Sequence, residues 1–193
     1  VMSGKKNLPK RSEVDAKYTW AIEDLYQSDD NWLVEYEQLK NMLPSASEYQ
    51  GRLSENSDTL LSFLKLSDDI NKLLERVYVY ANQRYHEDTS NSKYQDLSNK
   101  SNALAVQVSA TLSFATPEIL SIPEEVINKF LQENVELRVY EFYLRDILRK
   151  KAHILPADME ALLADAGEMA DGPSNIFSMF NNADLKFPEI EDE

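Results

Sequence analysis

The chain has 193 residues, of which 42% are hydrophobic and 28% are charged, so it is long enough to bury a sizeable core. Its 34 acidic and 20 basic residues give a formal net charge of −14, which repels phosphate backbones and anionic lipid surfaces, so we expect no nucleic acid and no membrane as partners. The lack of cysteine excludes disulfides and thiolate metal sites, and the N-terminus has no signal-peptide pattern, so we expect a cytoplasmic protein.

The first half of the sequence predicts long helices. The chain contains only four glycines, and its apolar residues recur every three or four positions, which is typical of an all-α fold. Ser28 is suited to cap a first helix that has Asp29 and Asp30 in its first turn, and Pro44 should end or kink that helix. The predicted apolar face of this helix consists of Trp32, Tyr36, Leu39 and Leu43.

The longest amphipathic pattern begins at Ser57 and continues to about Glu87. A continuous helix of this length would span roughly 45 Å and would form the backbone of an antiparallel bundle. After a short loop, Asn91 or Ser92 should cap the next helix. The apolar positions of the long pattern are Leu60, Leu64, Ile70, Leu73, Leu74, Val77, Ala81 and Tyr85.

The helix that follows contains an uncharged stretch from Ser101 to Pro117 that is rich in alanine and serine. Small side chains let neighbouring helices approach closely, so we expect this helix at the centre of the bundle. The stretch is shorter than the ~20 apolar residues that cross a bilayer, and we interpret it as a buried helix of a soluble protein. Pro117 and Pro123 should each begin a new short turn or helix.

The last third of the chain predicts further helices and then a change of pattern. Residues 126–148 are amphipathic, residues 157–169 form a short acidic helix, and Leu185, Phe187 and Ile190 alternate with polar residues as in a β-strand. We therefore predict an antiparallel bundle of long helices with a short β-strand beginning at the C-terminus. The predicted regions are a long-helix region (1–116), a second helical region (117–184) and the start of a strand (185–193).

His86-Glu87 is the pair of residues closest to a catalytic motif. In the zinc-protease motif H-E-x-x-H, two histidines four residues apart share a helix face and the glutamate acts as general base. Ser90 occupies the position of the second histidine here, and the only other histidine is His153. We interpret His86 as a surface histidine and His153 as a histidine at a helix end.

Other catalytic patterns are missing as well. The sequence has no G-x-S-x-G turn and no glycine-rich phosphate loop, and its adjacent carboxylates do not face each other on a helix. One aromatic set could line a peptide-binding wall, although the positions of most of its members favour helix packing: Tyr78, Tyr80, Tyr85, Tyr140, Phe142 and Tyr143. The residues themselves therefore give no catalytic, cofactor-binding or metal-binding candidate.

Several stretches, read in order along nearly the whole chain, resemble one known family. They are LPKRSEVDAKYTWAIEDLYQSDDNW, RYHEDTSNSKYQDL, SFATPEIL, YEFYLRDILRKKAHILPADMEALLADAGE and IFSMFNNADLKFPEI. Together they resemble the N-terminal, non-catalytic portion of oligoendopeptidase F, a bacterial zinc oligopeptidase of the M3 metallopeptidase family.

The resemblance implies a helical enzyme that encloses a deep channel and hydrolyses short peptides with one catalytic zinc. In that family the two histidines of H-E-x-x-H and a downstream glutamate hold the zinc, and none of them has a matching position here. The chain alone is therefore expected to bind no zinc and to be inactive, with the catalytic C-terminal part lying beyond Glu193.

The role implied for this chain is to form a wall of the substrate channel and to limit substrate size. Its expected partners are short peptides and the catalytic part of the same protein, and an apolar face should be exposed where that part docks. One alternative from another class stays open. The chain could be a free-standing acidic helical module that binds a protein partner and has no enzymatic activity.

Overall fold

The computed structural model describes residues 13–151 together with residues 173, 176, 177 and 180. The chain divides into two compact units, Val1–Leu148 and Arg149–Glu193, and the first contains most of the described residues. Every regular element in this described part is a helix, which confirms the all-α prediction there. The strand predicted at 185–193 and the helix predicted at 157–169 lie outside the described residues. The predicted division into three regions stays a prediction.

The first α-helix, α1, comprises Asp29–Ser47. Ser28 caps it as predicted, because its Oγ accepts a hydrogen bond from the backbone N–H of Asn31 at 3.2 Å. Pro44 lies inside α1, and the helix continues to Ser47, so Pro44 does not end the helix. The proline is tolerated because less than one helical turn follows it, which limits the disruption to the last backbone hydrogen bonds.

The two longest helices among the described residues are α2 (Ser57–Glu87) and α3 (Ser92–Leu112). The prediction of one continuous helix to Glu87 is confirmed. Asn56 caps α2, since its side chain accepts a hydrogen bond from the backbone N–H of Thr59 at 2.8 Å. Asn91, one of the two predicted residues, caps α3 in the same way.

Shorter helical elements precede α1 and follow α3. They are the 3-10 turns Ala16–Tyr18, Ile22–Asp24 and Glu136–Tyr140, and the α-helices α4 (Ala115–Ser121), α5 (Glu124–Glu133) and α6 (Glu141–Lys150). Pro117 lies in the first turn of α4 and Pro123 is the N-cap of α5, in agreement with the prediction that each begins a new element. Proline fits these positions because N–H groups at a helix start have no acceptor within the helix.

α2 contributes to two hydrophobic cores. Its N-terminal half packs with α4, α5, α6 and the turn Glu136–Tyr140, which we call the α4–α6 core. Its C-terminal half packs with α1, α3 and the turn Ile22–Asp24, which we call the α1–α3 core. Fully buried side chains include Leu53, Leu60, Phe63, Ile119, Ile127 and Leu137 in the α4–α6 core and Trp32, Leu39, Ile70, Tyr80 and Leu104 in the α1–α3 core.

The prediction that α3 lies at the centre of the bundle is wrong, because α2 has that position. Small residues of α3 such as Ala103 and Ala110 lie on its exposed side. A close approach of α2 and α3 does occur, at a point where Ser98 Oγ donates a hydrogen bond to Asn82 Oδ1 at 2.9 Å. The side chains that α3 buries form one narrow stripe of Leu97, Ser98, Ser101, Leu104 and Val108.

One carboxylate ties α4 to the turn between α1 and α2. Glu118 accepts hydrogen bonds from the backbone N–H groups of Gly51 at 2.8 Å and Leu53 at 2.7 Å. Gly51 has a φ of +82°, a conformation that residues with a Cβ rarely adopt. The side chain of Leu53 is fully buried in the α4–α6 core, so Glu118 satisfies a backbone donor next to a core residue.

We expect Glu118→Ala to lower the free energy of unfolding by roughly 2 kcal/mol, since two backbone donors lose a charged acceptor. Chemical denaturation monitored by circular dichroism measures this loss. Glu75→Ala is the matched control, because Glu75 is exposed in the middle of α2. Equal losses for the two variants would show that the Glu118 carboxylate does not stabilise the turn.

Candidate functional site

The residues that resemble a zinc-binding motif are used for other contacts. His86 is exposed near the end of α2, and its ring lies 5.4 Å from that of Tyr85. Glu87 is mostly buried, and its Oε2 accepts a hydrogen bond from Arg84 Nη1 at 3.0 Å. His153 lies outside the described residues. Within the described part of the chain, no group of three or more histidine, aspartate or glutamate side chains could hold a metal ion, so these residues do not fit the zinc of the resembled family.

Arg84 is the centre of a polar cluster at one end of the α1–α3 core. Its guanidinium lies 5.2 Å from the centre of the Tyr80 ring and forms ion pairs with Glu23 at 2.9 Å and with Glu87 at 3.0 Å. Burial alone would lower the pKa of Arg84, but hydrogen bonds with Tyr80, Glu87 and Glu23 outweigh it and raise that pKa above its ordinary value. Arg84 therefore stays charged and holds the turn Ile22–Asp24 against α2.

Asp29 completes this cluster at the N-terminal end of α1. It accepts a hydrogen bond from the Tyr80 hydroxyl at 2.8 Å and forms an ion pair with Lys93 at the start of α3. Burial alone would raise the pKa of Asp29, but the hydrogen bonds from Lys93 and Tyr80 outweigh it, so the pKa lies below its ordinary value. Asp29 thus joins α1, α2 and α3, and its oxygens already have structural partners.

A second polar cluster fixes Tyr26 against α2. The Tyr26 hydroxyl donates a hydrogen bond to Glu35 at 2.7 Å, and its ring meets the Tyr80 ring edge-on at 5.2 Å. Burial and the neighbouring Glu35 carboxylate raise the pKa of Tyr26 above its usual range. Arg76 donates a hydrogen bond to the Leu25 carbonyl at 3.1 Å and lies over the Tyr26 ring. The sequence does not predict either cluster, because their members lie far apart along the chain: Tyr80 and Asp29 are 51 residues apart, and Arg84 and Glu23 are 61 residues apart.

The six aromatic residues considered for a peptide-binding wall have different environments. Tyr80 is fully buried, so packing explains it. Tyr85 and Tyr140 are partly buried, and the Tyr140 hydroxyl donates a hydrogen bond to Asp68 at 2.7 Å. Tyr78, Phe142 and Tyr143 are exposed, so core packing does not account for them.

The uncharged part of α3 is exposed over most of its length. The segment Ser92–Ser121 is the one span of the described residues that is long and apolar enough to cross a membrane, and 22% of its most apolar window is buried. This is a weak indication, since core helices of soluble proteins have the same length and composition. The prediction that the stretch 101–117 is buried is wrong for most of its residues, and Val106 is 70% exposed.

Apolar side chains are exposed at further surfaces of the described residues, including Leu33 and Val34 on α1. Gln38, Met42 and Leu73 line a groove of about 530 Å³ between α1 and α2, with charged side chains at its edge. Large apolar side chains also project from the turn Glu136–Tyr140, from the residue before it and from α6. We call this set the apolar ridge: Val135, Val139, Phe142 and Tyr143.

Comparison with known proteins gives one consistent result. A model of the oligopeptidase F family matches residues 118–187. Oligopeptidase PepF of Bacillus subtilis (strain 168) is 41% identical over 186 residues, which are 96% of this chain and 28% of that protein. A plasmid-encoded oligoendopeptidase F of Lactococcus lactis subsp. cremoris is 36% identical over 95% of this chain and 31% of its own length. The chain is therefore similar, over nearly its whole length, to part of proteins named oligopeptidase or oligoendopeptidase F.

Solved structures show the same similarity. The crystal structure of oligoendopeptidase-F from Enterococcus faecium has a TM-score of 0.63 and 34% identity, and the match covers 84% of this chain and 32% of that one. A putative peptidase from Chlamydophila abortus has a TM-score of 0.73 and 26% identity, with 94% and 31% covered. The resemblance inferred from the sequence is confirmed. This chain spans about 30% of the length of the oligoendopeptidase F relatives it matches.

The low pKa of Asp29 predicts a pH-dependent contribution to stability. Because the pKa is lower in the folded than in the unfolded state, the contribution is present above the ordinary pKa of about 4 and is lost as pH falls through the folded pKa. We expect Asp29→Asn to lower the free energy of unfolding by roughly 1 kcal/mol at pH 7 and by much less at pH 3.

Denaturation at both pH values measures this difference, and Asp30→Asn is the control because Asp30 lies in the same first turn of α1. A difference between wild type and Asp29→Asn that is the same at pH 3 and pH 7 would contradict the assignment.

Proposed function

We propose that this chain is the N-terminal helical lobe of a zinc-dependent oligoendopeptidase that hydrolyses short peptides in the cytoplasm. One observation carries the proposal. Relatives named as oligopeptidases match 93–96% of this chain, but the chain spans only about 30% of each of them. The zinc and the groups that activate water are therefore proposed to belong to the part of the relatives that has no counterpart here.

The proposed role of the lobe is to form a wall of the substrate channel. A wall that excludes folded proteins must keep its shape, and α2 supports this because its 31 residues are anchored in two cores. A channel that closes around a peptide excludes water and increases contact with the substrate, so opening of the lobe would limit product release. In this mechanism the lobe contributes no reacting group.

A helical interaction module without activity is the alternative function. The exposed surface of α3 and the apolar ridge would then bind a separate protein. The two proposals differ in the reading frame that encodes the chain. A parent protein with H-E-x-x-H after residue 193 supports the peptidase, whereas a natural stop codon after Glu193 supports the module.

We expect the parent protein to hydrolyse short fluorogenic peptides, to lose this activity with a metal chelator and to regain it with zinc. The 193-residue chain supplied with zinc is the control, and it should be inactive. If the chain alone hydrolysed peptides in a chelator-sensitive way, the catalytic groups would lie within it and the proposed role would be wrong.

Exclusion of large substrates is testable by placing one cleavable sequence in a free peptide, in a loop of a folded carrier protein and in the same carrier kept unfolded. We expect kcat/KM of the parent protein to fall by about 100-fold or more, equivalent to ~2.7 kcal/mol, when the sequence moves from a free peptide to a loop of a folded carrier. The same carrier kept unfolded separates the effect of chain length from that of folding. Equal rates for the free peptide and the folded carrier would exclude a size-limiting channel.

A further inference from the structure

We propose that the apolar ridge is the surface on which this lobe docks against the remainder of its parent polypeptide. The proposal rests on the proposed function, because it assumes a parent protein longer than this chain. Nothing in the family match assigns these residues a role. The ridge consists of Val135, Val139, Phe142 and Tyr143, as defined above.

Three of the four side chains of the ridge are strongly exposed. Val135 is 69% exposed, Val139 is 83% exposed and Phe142 is 85% exposed. Val139 precedes Phe142 by three residues and Tyr143 by four, which places them side by side along a helical surface. Single exposed apolar residues are common, but a continuous row of them marks an interaction surface.

The ridge cannot turn inward, because the opposite side of the same segment is fixed in the α4–α6 core. Leu137 and Leu144 are fully buried, and Ile147 is nearly so. These three residues alternate with those of the ridge at helical spacing, so a rotation that buried Phe142 would expose the leucines. The exposure of the ridge therefore follows from the packing of its own helix.

Polar contacts hold the segment in this orientation. Tyr140 donates a hydrogen bond to Asp68, Glu136 forms an ion pair with Lys65, and the Asn134 side chain donates a hydrogen bond to Asp58 at 2.8 Å. All three acceptors or partners lie on α2, so the segment is attached to the longest helix at three points. A preformed surface of this kind binds a partner without a large cost for ordering it.

The length of the relatives indicates which partner covers the apolar ridge. About 70% of each relative has no counterpart in this chain, and that part would lie on the same polypeptide as the ridge. A covalently linked segment has a high effective concentration, so a small apolar surface is enough to hold it. A second copy of this chain is a poorer occupant, because two chains of net charge −14 repel each other.

The test compares Phe142→Asp with Trp20→Asp, both in the parent protein and in the 193-residue chain. Trp20 is a matched control, since it is 80% exposed and precedes the turn that packs in the other core. We expect Phe142→Asp to lower the Tm of the parent by about 3 °C or more and to leave the Tm of the 193-residue chain within about 1 °C. Trp20→Asp should change neither value to a comparable extent.

Three results would overturn the proposal. The first is that Phe142→Asp leaves the Tm of the parent protein unchanged. The second is that Phe142→Asp and Trp20→Asp lower the Tm of the parent protein by the same amount. The third is that the 193-residue chain forms dimers or binds neutral vesicles, as measured by sedimentation, and that Phe142→Asp abolishes this property. That result would identify a second copy or a membrane as the occupant of the ridge. Peptidase activity of the unmodified parent is measured separately, so a failure of the docking surface is distinguishable from a failure of the proposed function.

Discussion

The continuity of α2 is the constraint on which the rest of the described fold depends. One helix of 31 residues supplies Leu60, Phe63 and Leu64 to the α4–α6 core and Ile70, Val77 and Tyr80 to the α1–α3 core. Among the described residues, Leu112 of α3 also packs against both cores. The buried indole of Trp32 strengthens the link between α1 and α2, because its Nε1–H donates a hydrogen bond to the Val77 carbonyl at 2.8 Å.

Features that depend on near neighbours in sequence could be predicted. Ser28 and Asn91 were identified as helix caps because a cap bonds to an N–H two or three residues ahead. The apolar stripes of α1 and α2 follow from a period of 3.6 residues, and residues such as Leu39 and Val77 are buried as expected. The family resemblance could also be recognised from the sequence, because it rests on the order of short stretches along the chain.

Features that depend on distant partners could not be predicted. The small residues of α3 indicate that another helix lies close to it, but they do not show which face of α3 contacts that helix. In the structure, α2 is the central helix. The same limit applies to Glu118, which accepts a hydrogen bond from an N–H group 67 residues away, and to Arg84, which pairs with Glu23 61 residues away. A charged side chain in a helix looks the same in sequence whether it faces water or a buried backbone donor.

The net negative charge of the chain opposes contact between the exposed apolar surfaces of different copies. At a net charge of −14, two copies of the chain repel each other over a distance of roughly 8–10 Å at physiological salt, which opposes contact between apolar surfaces on different molecules. The same repulsion matters less for a segment of the same polypeptide, because the linkage keeps that segment near the surface whatever the bulk concentration. An acidic chain with an uncharged stretch in α3 and an apolar ridge is therefore better suited to contacts within one polypeptide than to contacts between copies.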